Sequence, residues 1–195
     1  WDAYPAALRY ENKAGVFQRV AWDWVTTNSG QLISPGPLWN FADNPGEAQH
    51  CPDFKGKSTF TGDPQTGYNY NTSFIGAEAA FPSLGWNGIR RGVSPSACSR
   101  GCDCAMFGDG GWKSGANKFM RAPENHEGET LSAIYSGGQA FRHRRTTNVA
   151  FVDGHVGVVH QAQRGIHHSP TLLSQFMNYP KNGFLSDDDR LYDPR

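Results

Sequence analysis

The sequence has no surplus charge and no long apolar run, and both absences restrict what the chain can do. Its 195 residues contain 18 Lys+Arg against 18 Asp+Glu. A net charge of zero gives no long-range attraction to nucleic acid or to an anionic membrane. No apolar stretch approaches the roughly 18 residues that a membrane-spanning helix needs. Nucleic acid is therefore not expected as a partner.

Familiar enzyme motifs are missing as well. The sequence contains neither a Gly-x-Ser-x-Gly elbow nor a His-Glu-x-x-His pair, and the glycine-rich run at 108–111 lacks the Lys-Ser/Thr of a phosphate loop. The chain also opens on Trp1-Asp2 without an initiator methionine or a signal peptide, which suggests that a preceding segment was removed. We expect no catalytic residues, no bound organic cofactor and no enzymatic activity.

Cysteine is scarce but clustered. The four cysteines are Cys51, Cys98, Cys102 and Cys104. A bond between Cys102 and Cys104 would close a very tight ring, so two pairings remain: 51–102 with 98–104, or 51–104 with 98–102. A zinc site of four thiolates is one alternative, although the C-x3-C-x-C spacing is not that of a zinc ribbon, and free thiols are the other. We expect two disulfides and an oxidising compartment.

Glycine, proline and aromatic residues are plentiful, which is typical of a turn-rich domain organised around aromatic anchors. The chain has 23 Gly, 12 Pro and 13% aromatic residues, and its length fits a single domain over 1–195. Apolar residues in 4–27 recur at roughly helical spacing, interrupted by Gly15, and predict a helix. A strand is predicted over 68–75, a short strand over 105–107 that enters a turn at 108–111, and a short helix over 170–177.

The strongest local pattern is a β-hairpin. Asp153-Gly154 separates two β-branched runs, 147–152 and 155–160, and predicts a two-residue type I′ turn. That turn would pair Phe151 with Val156 and Val149 with Val158, and would place these four side chains on the core face. We expect this hairpin to be central in an antiparallel sheet.

Four short stretches carry a family resemblance. They are Gly36-Pro37-Leu38-Trp39, His50-Cys51-Pro52-Asp53, Gly67-Tyr68-Asn69-Tyr70-Asn71, and Arg142-His143 followed after nine residues by Asp153-Gly154. In this order they resemble the prepilin-type H-X9-DG proteins, which are pseudopilin-like and related to type II secretion and type IV pili. The family motif then consists of His143, Asp153 and Gly154.

The resemblance implies an α+β, pilin-like head in which an N-terminal helix packs on an antiparallel sheet, without the hydrophobic N-terminal helix that anchors such proteins. It implies a structural subunit of a type II secretion or type IV pilus-like system. Its partners would be other pilin or pseudopilin subunits or secretion-system proteins. The location would be the periplasmic or extracellular face of the cell envelope, with an inner-membrane anchor in the full-length form.

Three further groups of residues are candidates for binding a metal ion. The carboxylates Asp187, Asp188, Asp189 and Asp193 offer hard oxygen ligands to calcium, which related pseudopilins bind near the C-terminal end of the head, although such a tail is more often solvated. His143 and Asp153 meet only if the chain folds back between them, so we favour a structural hydrogen bond for His143 and a turn role for Asp153. The histidines His155, His160, His167 and His168 are a weaker zinc candidate.

A second function class is a secreted carbohydrate- or ligand-binding module. Its candidate stacking residues are Trp22, Trp24, Trp86 and Trp112, whose rings could lie on sugar faces. The competing interpretation is that these rings anchor loops in the core. Exposed, coplanar rings would favour the binding module.

Overall fold

The computed structural model shows a mainly β protein. It describes residues 2–41, 48–58, 63, 67–77, 84–113, 115–124, 137–166 and 169–195. Strands make up 36% and helical turns 14%, and the described part has no helix of seven or more residues. The predicted α+β class is therefore wrong, and so are the pilin-like head and the pseudopilin resemblance, because no N-terminal helix packs on a sheet.

The first sheet occupies the segment for which a helix was predicted. Its strands are β1 (Leu8–Lys13), β2 (Val16–Ala21), β3 (Trp24–Thr27) and β4 (Leu32–Pro35), antiparallel in the order β1-β2-β3-β4. Ala14 and Gly15 have φ values of 52° and 81°, and Lys13 pairs with Val16. Two consecutive positive φ angles are what a two-residue type I′ turn requires. The glycine that interrupts the helical pattern is thus the turn of a hairpin.

The second sheet has seven strands and curls into a half-barrel. Its strands are β5 (Tyr68–Asn71), β6 (Ala105–Gly111), β7 (Phe119–Met120), β8 (Gly138–Ala140), β9 (Thr147–Phe151), β10 (Val156–Val159) and β11 (Asn182–Gly183). The main path is β10-β9-β6-β5-β7, while β8 pairs with both β6 and β11. The predicted strand at 68–75 is confirmed for Tyr68–Asn71.

Strand β6 includes the run at 108–111, where a turn was predicted. The glycines there allow neighbouring backbones to approach closely. A Cβ on Gly110 would lie 2.8 Å from the carbonyl oxygen of Asn117, and one on Gly111 would lie 2.7 Å from the nitrogen of Ala140. These glycines therefore serve close packing within a continuous strand.

Among the residues that the structure describes, helical structure occurs in short segments, and 48–49 are helical as well as those with the following bounds. They are α1 (Gly85–Gly88), α2 (Pro170–Leu172) with a π-turn over Leu173–Met177, and 3-10 turns over Pro37–Phe41, Pro95–Ala97 and Asp189–Leu191. The helical segment predicted at 170–177 is confirmed. None of the described helices is long and apolar enough to cross a membrane.

The predicted hairpin exists, but its register and its place in the sheet differ. Val156 pairs with Ala150 rather than with Phe151. The nitrogen of Phe151 donates to the carbonyl of His155 at 2.9 Å, and Gly154 has a φ of 93°, so the loop has three residues. This one-residue slip leaves Val156 and Val158 exposed (68% and 51%), while Val149 is fully buried. Strand β10 lies at the edge of the sheet, not at its centre.

Aromatic rings join the two sheets. Trp22, in the turn between β2 and β3, packs against Tyr70 of β5 and Phe107 of β6, with ring centroids 5.7 Å and 5.6 Å apart. Trp22 is 2% exposed, and its indole Nε1 donates to the carbonyl of Lys118 at 3.1 Å. Burial of rings of this size is a large hydrophobic contribution. The contact fixes the first sheet against the second.

A buried cluster of one lysine and two aspartates adjoins the Trp22 contact. Nζ of Lys118 lies 2.8 Å from Oδ1 of Asp23 and 3.1 Å from Oδ2 of Asp63, and all three side chains are at most 2% exposed. Burial raises the pKa of Asp63 from 3.8 to about 6, against the opposing effect of Lys118. Burial lowers the pKa of Lys118, but Asp23 and Asp63 outweigh it, so that pKa is raised. One cation is shared by two buried carboxylates.

We expect this cluster to make stability depend on pH. Folded Asp63 holds its proton up to about pH 6, whereas an unfolded aspartate loses it near pH 4. The native state then binds more protons between these values, so the free energy of unfolding should fall as pH rises through the window, by up to about 3 kcal/mol. Urea denaturation across the window should show a flatter profile for Asp63→Asn. An identical slope in both proteins would contradict the assignment.

Candidate metal centre and adjoining cavity

Three potential metal ligands converge at one end of the second sheet. They are Cys51, Asp109 and His143, whose donor atoms all lie within 4.8 Å of one another. Nε2 of His143 lies 3.8 Å from Sγ of Cys51 and 3.1 Å from Oδ1 of Asp109. Cys51 and Asp109 are fully buried, and the His143 side chain is 22% exposed. The site therefore reaches the surface through the imidazole.

Cys51 is held by a tight turn and by a close neighbour. Its carbonyl accepts a hydrogen bond from the nitrogen of Phe54 at 2.9 Å. Gly67 lies alongside with a φ of 140°, and a Cβ there would come within 2.6 Å of the Cβ of Cys51. Only glycine combines this φ with so close an approach. The thiol is thereby placed at the start of β5.

Asp109 is fixed by bonds to one of its two carboxylate oxygens. Oδ2 accepts from the backbone nitrogen of Asn148 at 2.8 Å and from Oγ1 of Thr147 at 3.3 Å. Oδ1 faces His143, and the guanidinium of Arg142 lies 3.8 Å from it. One oxygen anchors the carboxylate to β9, and the other is directed into the site.

His143 begins a strained turn just before β9. The backbone groups of His143 and Thr146 bond each other at 3.1 Å and 3.0 Å around Arg144 and Arg145, whose φ values are 55° and 70°. Nδ1 lies 2.9 Å from Oδ2 of Asp53. A carboxylate on Nδ1 orients the ring and fixes which nitrogen is free to bind a metal. Nε2 is the nitrogen that faces Cys51 and Asp109.

Tyr68 links this site to a cavity. It pairs with Asp109 across β5 and β6, so both side chains lie on the same face of the sheet. Burial raises the pKa of the Tyr68 phenol, and the neighbouring Cys51 and Asp109 raise it further. The hydroxyl consequently stays protonated at neutral pH, while the rest of the residue lines the cavity.

The cavity has a volume of about 340 Å³ and lies between the second sheet and the turn residues Trp22, Leu38 and Trp39. Four aromatic residues line it: Trp22, Trp39, Tyr68 and Phe107. Leu38, Val149 and Val156 add aliphatic surface, and Gln49 adds an amide. Pockets of a few hundred Å³ with mainly apolar walls are the usual sites of small-molecule binding.

The donor set at the metal centre suits a particular kind of ion. A thiolate, an imidazole and a carboxylate are ligands that zinc prefers. Bonds of about 2.0 to 2.3 Å in a tetrahedral arrangement place donors about 3.3 to 3.8 Å apart. The separations of 3.1 Å and 3.8 Å in the site are close to this range. Three protein donors leave a fourth position for water or another ligand.

The four cysteines do not form the predicted disulfides. All four are free thiols, so neither predicted pairing is formed. Cys51 packs with Phe54, Ala116 and Tyr68, whereas Cys104 belongs to the Trp22 cluster and Cys98 packs against it. Burial raises the pKa of the Cys104 thiol to about 12. Cys51 thus belongs to the metal centre rather than to the 98–104 loop.

The calcium candidates each have another role. Asp187 accepts from the nitrogen of Gly165 at 3.1 Å, Asp188 from that of Arg190 at 3.2 Å, and Asp189 from that of Glu124 at 2.8 Å, while Asp193 pairs with Arg195 at 2.9 Å. Among the residues that the structure describes, the group able to hold a metal is the Cys51 centre instead. The C-terminal carboxylates serve backbone and surface contacts.

The residues of the proposed family motif do not meet. Oδ1 of Asp153 accepts from the nitrogen of His155 at 3.1 Å and lies 2.6 Å from its Nδ1. These bonds lower the pKa of Asp153. Asp153 and Gly154 form the hairpin loop, whereas His143 faces Asp109. His167 and His168 fall outside the described residues.

The tryptophans do not form an exposed sugar-binding platform. Trp22 and Trp24 are buried at 2% and 6% exposure. Trp86 is half-buried against Phe119, with ring centroids 4.8 Å apart, and Trp112 is also half-buried. Their packing fits the alternative interpretation, in which the rings anchor the core.

Sequence reasoning singled out most of the site but missed Asp109. The stretches around Trp39, Cys51, Tyr68 and His143 were noted separately, and the fold brings them to one place. Asp109 was assigned to a turn because glycines flank it. The sequence signal that could have identified Asp109 is a single carboxylate among the glycines at 108–111.

Comparison of the chain with known protein families, with curated proteins and with solved structures finds no match. Functional inference therefore depends on the geometry of this site.

Proposed function

We propose that this chain is a metal-binding β-domain that holds one zinc-class ion through Cys51, Asp109 and His143. The observation that carries the proposal is the convergence of Sγ, Oδ1 and Nε2 within 4.8 Å of one another. The carboxylate of Asp53, 2.9 Å from Nδ1 of His143, supports it as an orienting partner.

The chemistry of the donors favours zinc over the calcium suggested by the acidic tail. Calcium takes six to eight oxygen ligands and avoids sulfur. This centre offers one oxygen, one nitrogen and one sulfur. Two of these donors are anionic when an ion is bound, so they balance the charge of a divalent cation.

We infer that the ion stabilises the folded domain. The three ligands come from the loop after residue 50, from β6 and from the turn before β9. The sequence separations are 92 residues between Cys51 and His143 and 34 between Asp109 and His143. An ion that binds only the folded state adds its binding free energy to stability. The burial of Cys51 and Asp109 keeps two of the three donors away from bulk solvent.

Cobalt(II) binding provides the test, because a thiolate ligand gives cobalt a charge-transfer band in the near ultraviolet. Protein freed of metal should develop this band on titration with cobalt, and zinc should abolish it by displacement. Cys51→Ala should not develop the band. Asp53→Ala should keep it but bind about 10 to 100-fold more weakly, because the imidazole loses its orienting partner.

Cys102→Ala is the matched control, since Cys102 is exposed and lies outside the site. Its titration should follow that of the unmodified chain. The absence of a band in the unmodified chain, or its equal loss in both cysteine variants, would refute the proposed centre.

A further inference from the structure

The aromatic cavity is lined by residues that are not ligands of the proposed metal centre. Trp22, in the turn after β2, and Leu38, in a 3-10 turn, line one side of it, and Phe107 and Val149 of the second sheet line the other. None of the described residues that line it is charged. Because a buried charge without a partner is costly, these walls favour an uncharged ligand.

The polar atoms on the walls are largely engaged elsewhere. Oε1 of Gln49 accepts from Nε1 of Trp39 at 3.1 Å, and its Nε2 donates to Asp23 at 2.9 Å. Tyr68 packs against the cluster that contains Cys51 and pairs with Asp109 across β5 and β6. The exposed residue Asn148 also lines the cavity and contributes a side-chain amide. A sugar would have to leave most of its hydroxyl groups without partners here, which is unfavourable.

We propose that this cavity binds a small, uncharged aromatic molecule with at most one or two polar substituents. Its volume of about 340 Å³ suits a ligand of one or two rings. The rings of Trp22, Trp39, Tyr68 and Phe107 supply stacking and edge contacts, and Asn148 supplies a hydrogen bond for one substituent. This inference goes beyond metal binding and does not depend on it.

Two aromatic probes of similar size, one neutral and one anionic, test the ligand class, and a sugar serves as a third probe. Benzyl alcohol should bind, as measured by isothermal titration calorimetry and by a change in tryptophan fluorescence. Benzoate should bind at least about tenfold more weakly, since its carboxylate would be buried without a counter-charge. Methyl glucoside should bind more weakly than benzyl alcohol. No binding of benzyl alcohol at millimolar concentration, or a preference for benzoate or the glucoside, would overturn the proposal.

A cavity-filling variant locates the site. Ala150→Phe adds a ring to a lining residue of β9 and should lower the affinity for benzyl alcohol by about tenfold or more. Val158→Phe is the matched control, because this exposed position on β10 does not line the cavity. If Ala150→Phe does not fold, as judged by circular dichroism, Ala48→Phe fills the cavity from an exposed residue of its rim. Unchanged affinity in a folded cavity-filling variant would refute the location.

Removing the metal centre separates the two proposals. His143→Ala should lose cobalt binding but keep its affinity for benzyl alcohol, because His143 does not line the cavity. Loss of both activities in a variant that remains folded would show that the cavity is not an independent site.

Discussion

Replacement of Lys118 by methionine is expected to lower the free energy of unfolding by about 3 to 5 kcal/mol at neutral pH. The change removes the ammonium that lies 2.8 Å from Asp23 and 3.1 Å from Asp63. Methionine fills similar space, so the loss arises from two buried carboxylates that have lost their shared cation, rather than from a packing defect. Chemical denaturation at pH 7 measures it.

The same variant should be less destabilised at pH 5 than at pH 7. At the lower pH the buried carboxylate of Asp63, whose pKa is raised to about 6, can take up a proton, which reduces the cost of leaving it without a cation. Lys113→Met is a suitable control, because Lys113 is exposed and its loss should cost little. A loss below about 1 kcal/mol at both pH values would mean that Lys118 does not balance these charges.

Replacement of Trp22 by alanine is expected to cost about 3 to 5 kcal/mol. The indole packs against Tyr70 and Phe107, whose own ring centroids are 5.2 Å apart, and so joins the turn after β2 to the second sheet. Its removal leaves a void that the surrounding strands cannot close. It also removes one wall of the aromatic cavity, so affinity for an aromatic ligand should fall as well.

Trp22→Phe separates the contribution of the ring from that of its hydrogen bond. Phenylalanine keeps an aromatic ring in place but loses the bond from Nε1 to the carbonyl of Lys118. That carbonyl keeps the hydrogen bond from the backbone nitrogen of Tyr70 at 3.0 Å, so loss of the indole bond should cost only about 0.5 to 1.5 kcal/mol. Equal stability losses in both variants would show that the hydrogen bond, and not packing of the ring, accounts for the effect.

The fold was predictable where a local pattern was sufficient. The hairpin around Asp153-Gly154, the strand at Tyr68–Asn71 and the helical segment at 170–177 were all found from sequence. The segment 4–27 was assigned wrongly because its apolar spacing fits both a helix and short strands. The turn at Ala14-Gly15 decides between them, since its two positive φ angles reverse the chain.

The hairpin register shows how a correct local prediction can still misplace side chains. Both a two-residue and a three-residue loop are compatible with Asp153-Gly154. The choice between them shifts the pairing by one residue and turns Val156 and Val158 from the core to the solvent. Val149 lies in the core with Met120 and Leu185, as either loop requires, so the pairing of Val156 with Ala150 is what identifies the longer loop.

The sequence by itself determined the neutral charge, the turn-rich composition and the local turns, because these depend on residues that are neighbours in the chain. It also identified Cys51, Tyr68 and His143 as parts of notable stretches. Only the tertiary structure decided that Cys51 and His143, 92 residues apart, meet Asp109 beside an aromatic cavity. Strand order and the packing of one sheet on the other decide such contacts. These are properties of the whole folded chain, which no local pattern encodes.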